Sequence, residues 1–203
     1  MVYKKYRKEV YENKKRLIFK PLGQKINHMI KNLTKSEFRV LEHFFLHPDK
    51  EIHLRGFSTE IGIPYSTVRN SLGKLEEKGL LESEEKGNLK FYSKGDEKFL
   101  KSKKTYNIEK ILGSNLAGYL EKELKPEAIV LFGSYLEGRD TEESDIDIAV
   151  VDGRKKEPDL TEFEEKLGRK IQLVYTGGPE DEKDEFINTL ANGLVLKGFL
   201  KVR

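Results

Sequence analysis

Two aspartates stand where a buried strand should carry none. In residues 128–151, AIVLFGSYLEGRDTEESDIDIAVV, an apolar run ends at Gly133-Ser134, and ten residues later Asp145 and Asp147 open a second apolar run. On a strand, residues i and i+2 face the same way, with Cα atoms about 6.5–7 Å apart. Asp145 and Asp147 are therefore expected on one face, with Ile146 and Ile148 on the other, toward a core. Two carboxylates so placed repel each other and each loses hydration. A divalent cation resolves the conflict, and carboxylate oxygens suit Mg²⁺ or Mn²⁺. Two aspartates at a strand end, capping backbone amides, are the plainer alternative. Gly133-Ser134 bears on that choice, because glycine lets a phosphate approach the backbone and serine adds a hydroxyl.

Around this stretch the chain reads as two halves. Residues 1–32 carry ten Lys/Arg against two Glu, residues 33–105 carry 14 basic and 12 acidic residues, and residues 106–203 carry 14 and 21. A basic front suits a polyanion, whereas an acidic back repels one unless a cation intervenes. The chain contains no cysteine, which excludes disulfides, thiol nucleophiles and Cys-ligated zinc. No apolar run of about 18 residues suggests a membrane span, and the charged N-terminus does not resemble a secretory signal. A soluble, cytoplasmic location is the expectation. Charged residues make up 36% of the sequence, mostly Lys and Glu, a composition that leans toward heat adaptation.

In the front half, KSEFRVLEHFFLHP has helical apolar spacing stopped by Pro48, HLRGFSTEIGI reads as a second helix, and PYSTVRNSLGKLEEKG as a third that ends at Gly79. Two strand-like runs follow around Gly87-Asn88. Three helices and a hairpin over 34–95 resemble a winged helix-turn-helix, including the LEEKGLL passage into the wing. That resemblance implies a third helix in the major groove of double-stranded DNA. Tyr65, Ser66, Thr67, Arg69, Asn70 and Lys74 would then reach bases or phosphates, and wing residues Lys86 and Lys90 the flanking backbone. A protein-binding or spacer role is the alternative, and Glu76, Glu77, Glu84 and Glu85 near that surface keep it open. His43 and His47 at i, i+4 lack a third ligand at suitable spacing for a metal.

The expected organisation is α+β with two domains: a basic arm at 1–32, the winged helix at 33–96, a lysine-rich linker at 97–106 and a second domain at 107–203. In that second domain NIEKILGSNLAGYLEKELK reads as a helix, EAIVLF, DIDIAVV and KIQLVYTG as strands, LTEFEEKLG as a short helix, and the C-terminal segment as a helix with a last strand.

The combination of Gly133-Ser134, Gly138-Arg139 and Ser144-Asp145-Ile146-Asp147 ahead of an apolar strand resembles the polymerase-β-like nucleotidyltransferases, particularly their minimal (MNT-type) branch. The resemblance implies a mixed sheet flanked by helices. It further implies that Gly133, Ser134 and Arg139 hold an NTP, usually ATP, and that Asp145 and Asp147 bind the metals. The reaction would transfer NMP to an acceptor hydroxyl and release pyrophosphate. Stand-alone relatives of this kind pair with HEPN-domain toxins, which implies a protein acceptor of that type, a nucleic-acid acceptor being the other option. A homodimer is also among the expected assemblies. The family's third carboxylate is replaced by Gln172 in KIQLVY. Two readings therefore stay open: a transferase targeted or autoregulated through DNA, or a DNA-binding regulator whose second domain senses nucleotide or dimerises without turnover.

Overall fold

The computed structural model describes residue 30, residues 32–177 and residues 184–200, so the basic arm expected at 1–32 lies almost wholly outside the described residues. Helix α1 (Lys35–Leu46) starts at a capping box in which Thr34 and Glu37 exchange backbone and side-chain hydrogen bonds of 3.2 and 3.3 Å. Its stripe of Val40, Leu41, Phe44 and Phe45 is fully buried. Strand β1 (Ile52–His53), α2 (Leu54–Glu60) and α3 (Tyr65–Glu77) follow, then β2 (Leu81–Lys86) and β3 (Leu89–Lys94), joined at Gly87, whose φ of 65° suits glycine. The three strands form an antiparallel sheet in the order β1-β3-β2. Glu37, itself buried, binds Lys74 at 3.2 Å and Lys78 at 3.0 Å and so ties α1 to α3 and the turn that follows it.

Residues 97–106, expected as the inter-domain link, form the first half of an 18-residue helix, α4 (Glu97–Ser114). Phe99 and Tyr106 project into the first core, their rings 5.3 and 5.1 Å from that of Phe45, while Ile108 and Ile111 enter the second. Its lysines concealed this, because only a few of its positions carry apolar groups. The helix expected from 107 to 125 is broken at Asn115, which adopts the left-handed conformation (φ 62°), and continues as α5 (Leu116–Leu124).

The second sheet runs β6-β5-β4-β7, with β4 (Ala128–Phe132), β5 (Ile146–Val151), β6 (Ile171–Thr176) and β7 (Leu194–Gly198); β5 and β6 are parallel and the other pairs antiparallel. One face, with Leu131, Ile146, Ile148 and Leu196, is covered by α4, α5, α6 (Gly133–Glu137) and α7 (Thr161–Leu167). The other face, with Val130, Ala149 and Val151, packs on α8 (Asp184–Ala191) through Leu190 and Phe186. Among the described residues no helix is long and apolar enough to cross a membrane.

His43 and His47 lie with rings 4.6 Å apart, and no group of three or more metal-binding side chains forms among the described residues. Burial and the neighbouring His47 pull the His43 imidazole down to about 4, and its buried Nε2 has no hydrogen-bond partner. A depressed histidine favours folding above its unfolded value near 6.5 and loses that contribution as pH falls toward 4. Thermal melts from pH 7 to pH 4 should therefore show a loss of stability beginning near pH 6.5. In a His43→Leu variant, which removes the titrating group, that part of the slope should flatten.

Candidate active site

The end of the second sheet where β4 stops and β5 and β6 start brings the carboxylates together. β5 begins at Ile146, so Asp145 precedes the strand instead of lying within it, and only Asp147 is a strand residue. The local reason is a hydrogen-bonded turn over Thr141–Ser144, in which the Thr141 N–H donates to Ser144 Oγ at 2.9 Å and the Ser144 N–H to the Thr141 carbonyl at 3.3 Å. Asp145 is exposed and Asp147 half-buried. Burial, with the charge of Asp145 adding to it, pushes the Asp147 carboxyl above its ordinary value.

Asp147 pairs in register with Phe132 on β4 and with Gln172 on β6. Immediately beyond Phe132, Gly133 opens α6 with φ 78°, and a Cβ built there would lie 2.2 Å from Asp147 Oδ2. A side chain there would require both a left-handed backbone and displacement of the Asp147 carboxylate, so glycine fits best. Ser134, half-buried, is next in the helix, and its carbonyl accepts from the Arg139 N–H at 3.0 Å. Gly133, Asp145 and Asp147 are thus brought together, with Ser134 adjacent.

Arg139 is placed differently. Its side chain is 71% exposed and pairs with Glu137 at 3.3 Å, with no ion pair to Asp145 or Asp147 among the described residues. Tyr135 is not free to stack on a ligand, because its phenol is buried and pushed up by that burial.

Nothing among the described residues supplies the missing carboxylate. Gln172 is exposed beside Asp147. Asp152 sits past the opposite end of β5, and Glu164 is engaged by Lys170 at 2.6 Å and the Ile171 N–H at 3.0 Å. No group of three or more His, Cys, Asp or Glu side chains that could hold a metal forms there. Two carboxylates and a carbonyl oxygen still make a donor set of the hard, oxygen-only kind that suits Mg²⁺ or Mn²⁺.

In the front half, Tyr65, Ser66, Arg69 and Asn70 lie exposed along α3, with Thr67 half-buried. Lys74 is tied to Glu37, Lys86 to Glu51 at 2.7 Å, and Lys90 to Glu76 at 2.9 Å. Three of the four basic candidates thus already have carboxylate partners, which sequence spacing could not reveal because those partners lie on other elements.

Residues 114–188 match the family model described as Polymerase beta, Nucleotidyltransferase. A domain of that kind therefore occupies this span, which contains Gly133, Ser134, Asp145, Asp147 and Gln172. A protein of Methanocaldococcus jannaschii named "Putative protein adenylyltransferase MJ1379" is 40% identical over 62 residues, 27% of this chain and 62% of that relative. The chain thus spans less than two thirds of the relative's length. The solved structure of "Possible transcriptional regulator from Methanosarcina mazei Go1" aligns with 49% of this chain and 87% of its own at 22% identity, with a TM-score of 0.35, a likeness too slight to bear on fold or function.

Because folding penalises only the charged form of Asp147, the penalty vanishes below about pH 3.8 and is complete above the raised value. Without divalent cations, Asp147→Asn should therefore raise the melting temperature slightly at pH 7. Melts at acid pH should show the gain disappearing, and excess Mg²⁺ should narrow it at neutral pH.

Proposed function

We propose that this protein binds a nucleoside triphosphate, ATP by preference, with a divalent cation at Asp145 and Asp147, and transfers the nucleotide to an acceptor hydroxyl. The observation that carries the reading is the packing of Gly133 onto the Asp147 carboxylate, with Asp145 alongside, inside a matched nucleotidyltransferase domain. In this reading the chain holds the triphosphate. Gly133 keeps the backbone open to phosphate oxygens, Ser134 offers its hydroxyl, Asp145 and Asp147 hold Mg²⁺ or Mn²⁺, and Gln172 contributes at most a carbonyl oxygen. A cation bound there neutralises the triphosphate and eases departure of pyrophosphate. The acceptor oxygen forms a bond to the α-phosphorus as the bond to pyrophosphate breaks, and the acceptor proton passes to water. With Gln172 in place of a carboxylate, no side chain on β6 at that position can take it. Slow transfer is the consequence.

The relative's name favours a protein acceptor and ATP, and we carry both to this chain as part of the proposal. Incubation with labelled ATP, Mg²⁺ and protein acceptors should give label transfer that Asp145→Asn and Asp147→Asn each reduce by about a hundredfold or more. Gln172→Asp should speed it. Transfer unchanged in both asparagine variants would sink the reading.

The absence of a third carboxylate among the described residues favours a second reading, a nucleotide-sensing regulator without turnover. Both readings give the front half a winged helix-turn-helix role on duplex DNA through α3. Its paired lysines limit the electrostatic share, since each phosphate contact must displace a carboxylate. Such surface pairs are worth roughly 0–1 kcal/mol each, so displacement is feasible. Arg69, which has no ion pair among the described residues, should then dominate: Arg69→Ala should weaken duplex binding by roughly 1–3 kcal/mol in a titration at fixed salt. Binding unaffected by that change would point to a protein partner.

A further inference from the structure

The Asp145 segment is held from behind by a buried charge cluster that the nucleotide-site residues do not include. Asp140 lies five residues before Asp145, is 2% exposed, and receives Asn107 Nδ2 at 2.7 Å and Lys103 Nζ at 3.1 Å on its Oδ1. Lys103, on α4, is fully buried and also donates to the Asp140 carbonyl. Asn107 additionally donates to the Tyr135 carbonyl at 2.8 Å, which fixes the end of α6. Gly138 completes the seat: a Cβ there would meet the Leu100 carbonyl and the Lys104 nitrogen at 2.7 Å, so this segment lies directly on the α4 backbone.

The cluster continues across the molecule. Arg169 NH2 stands 3.8 Å from Asp140 Oδ2 and donates to the Leu46 carbonyl at the end of α1 at 2.8 Å. Next to it, Lys170 accepts the Ile146 N–H at 2.8 Å, the residue immediately after Asp145. His47, just past α1, pairs with Glu142 in the same turn at 2.7 Å. Asp145 is thus bracketed by Asp140 on one side and by Arg169-Lys170 on the other, and both brackets reach the N-terminal unit.

We propose that Asp140 is a positioning residue for Asp145, and that Arg169 extends its hold to the end of α1, making the N-terminal unit part of the nucleotide site's framework. The nucleotide part of this inference rests on the carboxylate reading above. A charge buried this deeply with two cationic partners is costly as a stability device, since apolar replacements of buried pairs are often neutral or stabilising. What an apolar pair cannot do is fix the direction in which residues 141–145 leave the helix.

That difference supplies the test. Asp140→Asn alone leaves Lys103 buried without its carboxylate and should be strongly destabilised. The pair Lys103→Met with Asp140→Leu removes the buried ammonium together with its carboxylate. Because Arg169 then lacks its acid partner, this variant should melt below the unaltered protein but well above Asp140→Asn, and stay folded at the assay temperature. In that folded double variant, amides of 141–147 should exchange about tenfold faster or more without nucleotide present, while those of β4 are unchanged. Mg²⁺-ATP binding by calorimetry should weaken roughly 10–100-fold, as when the groups that orient metal ligands are removed. Arg169→Gln should give a smaller change of the same kind. Unchanged exchange and affinity in the folded double variant would overturn the proposal. Should the unaltered protein bind no Mg²⁺-ATP, the carboxylate reading fails, and exchange alone decides whether Asp140 positions the turn.

Discussion

The Asp147 carboxylate occupies the space in which any residue but glycine at position 133 would place its Cβ, and much of the second sheet's arrangement answers to that contact. β4 must end at Phe132 so that the backbone can turn away at Gly133 with a positive φ, and β5 must begin early enough to set Asp147 opposite it. A carboxylate in this position is costly: burial and the charge of Asp145 both work against its ionised form. Ala149 and Val151, which share its face further along β5, are buried in an apolar cluster, so the carboxylate interrupts an otherwise apolar face. Tension of this kind in an otherwise consistent strand is what the proposed cation would relieve.

Helix α4 imposes the second constraint. It lends Phe99 and Tyr106 to the first core and Ile111 to the second, and carries Lys103 and Asn107 between them toward Asp140. The two units are therefore joined by packing and buried charge along one helix, not by a flexible tether. The end of α1 is tied to the turn before Asp145 through Arg169 and through the pair of His47 with Glu142.

The parts of this design that the sequence disclosed are those with strong periodicity or rare pairings. Val40, Leu41, Phe44 and Phe45 announce α1 by their spacing, Gly87-Asn88 announces the hairpin, and Gly133-Ser134 with Asp145 and Asp147 pointed to the nucleotidyltransferase domain matched over 114–188. Gln172 stood out as a departure only against the family resemblance, which implies a carboxylate on that strand, and the register sets it beside Asp147. What stayed hidden depends on contacts between distant elements. Lys103 in EKFLKSKKTY looks like one more solvated lysine, yet it is wholly buried; Asp140 in GRDTEES looks like a loop charge, yet it is the centre of a cluster. Lysine content hid the helical form of the link, in which Phe99 and Tyr106 are buried. Asn115 broke a helix that its apolar pattern would have carried through, because the left-handed conformation of one asparagine leaves no periodic trace.

The central claim is that Asp145 and Asp147 receive a cation together with a nucleotide triphosphate. Its most direct measurement is a crystal structure of the protein grown with Mn²⁺ and an ATP analogue that resists cleavage at the α-phosphorus, with anomalous scattering to locate the manganese. The account predicts manganese bound by oxygens of both aspartates, with phosphate oxygens beside Gly133 and Ser134. Manganese bound elsewhere, or a nucleotide seated away from the Gly133–Asp147 contact, would contradict it.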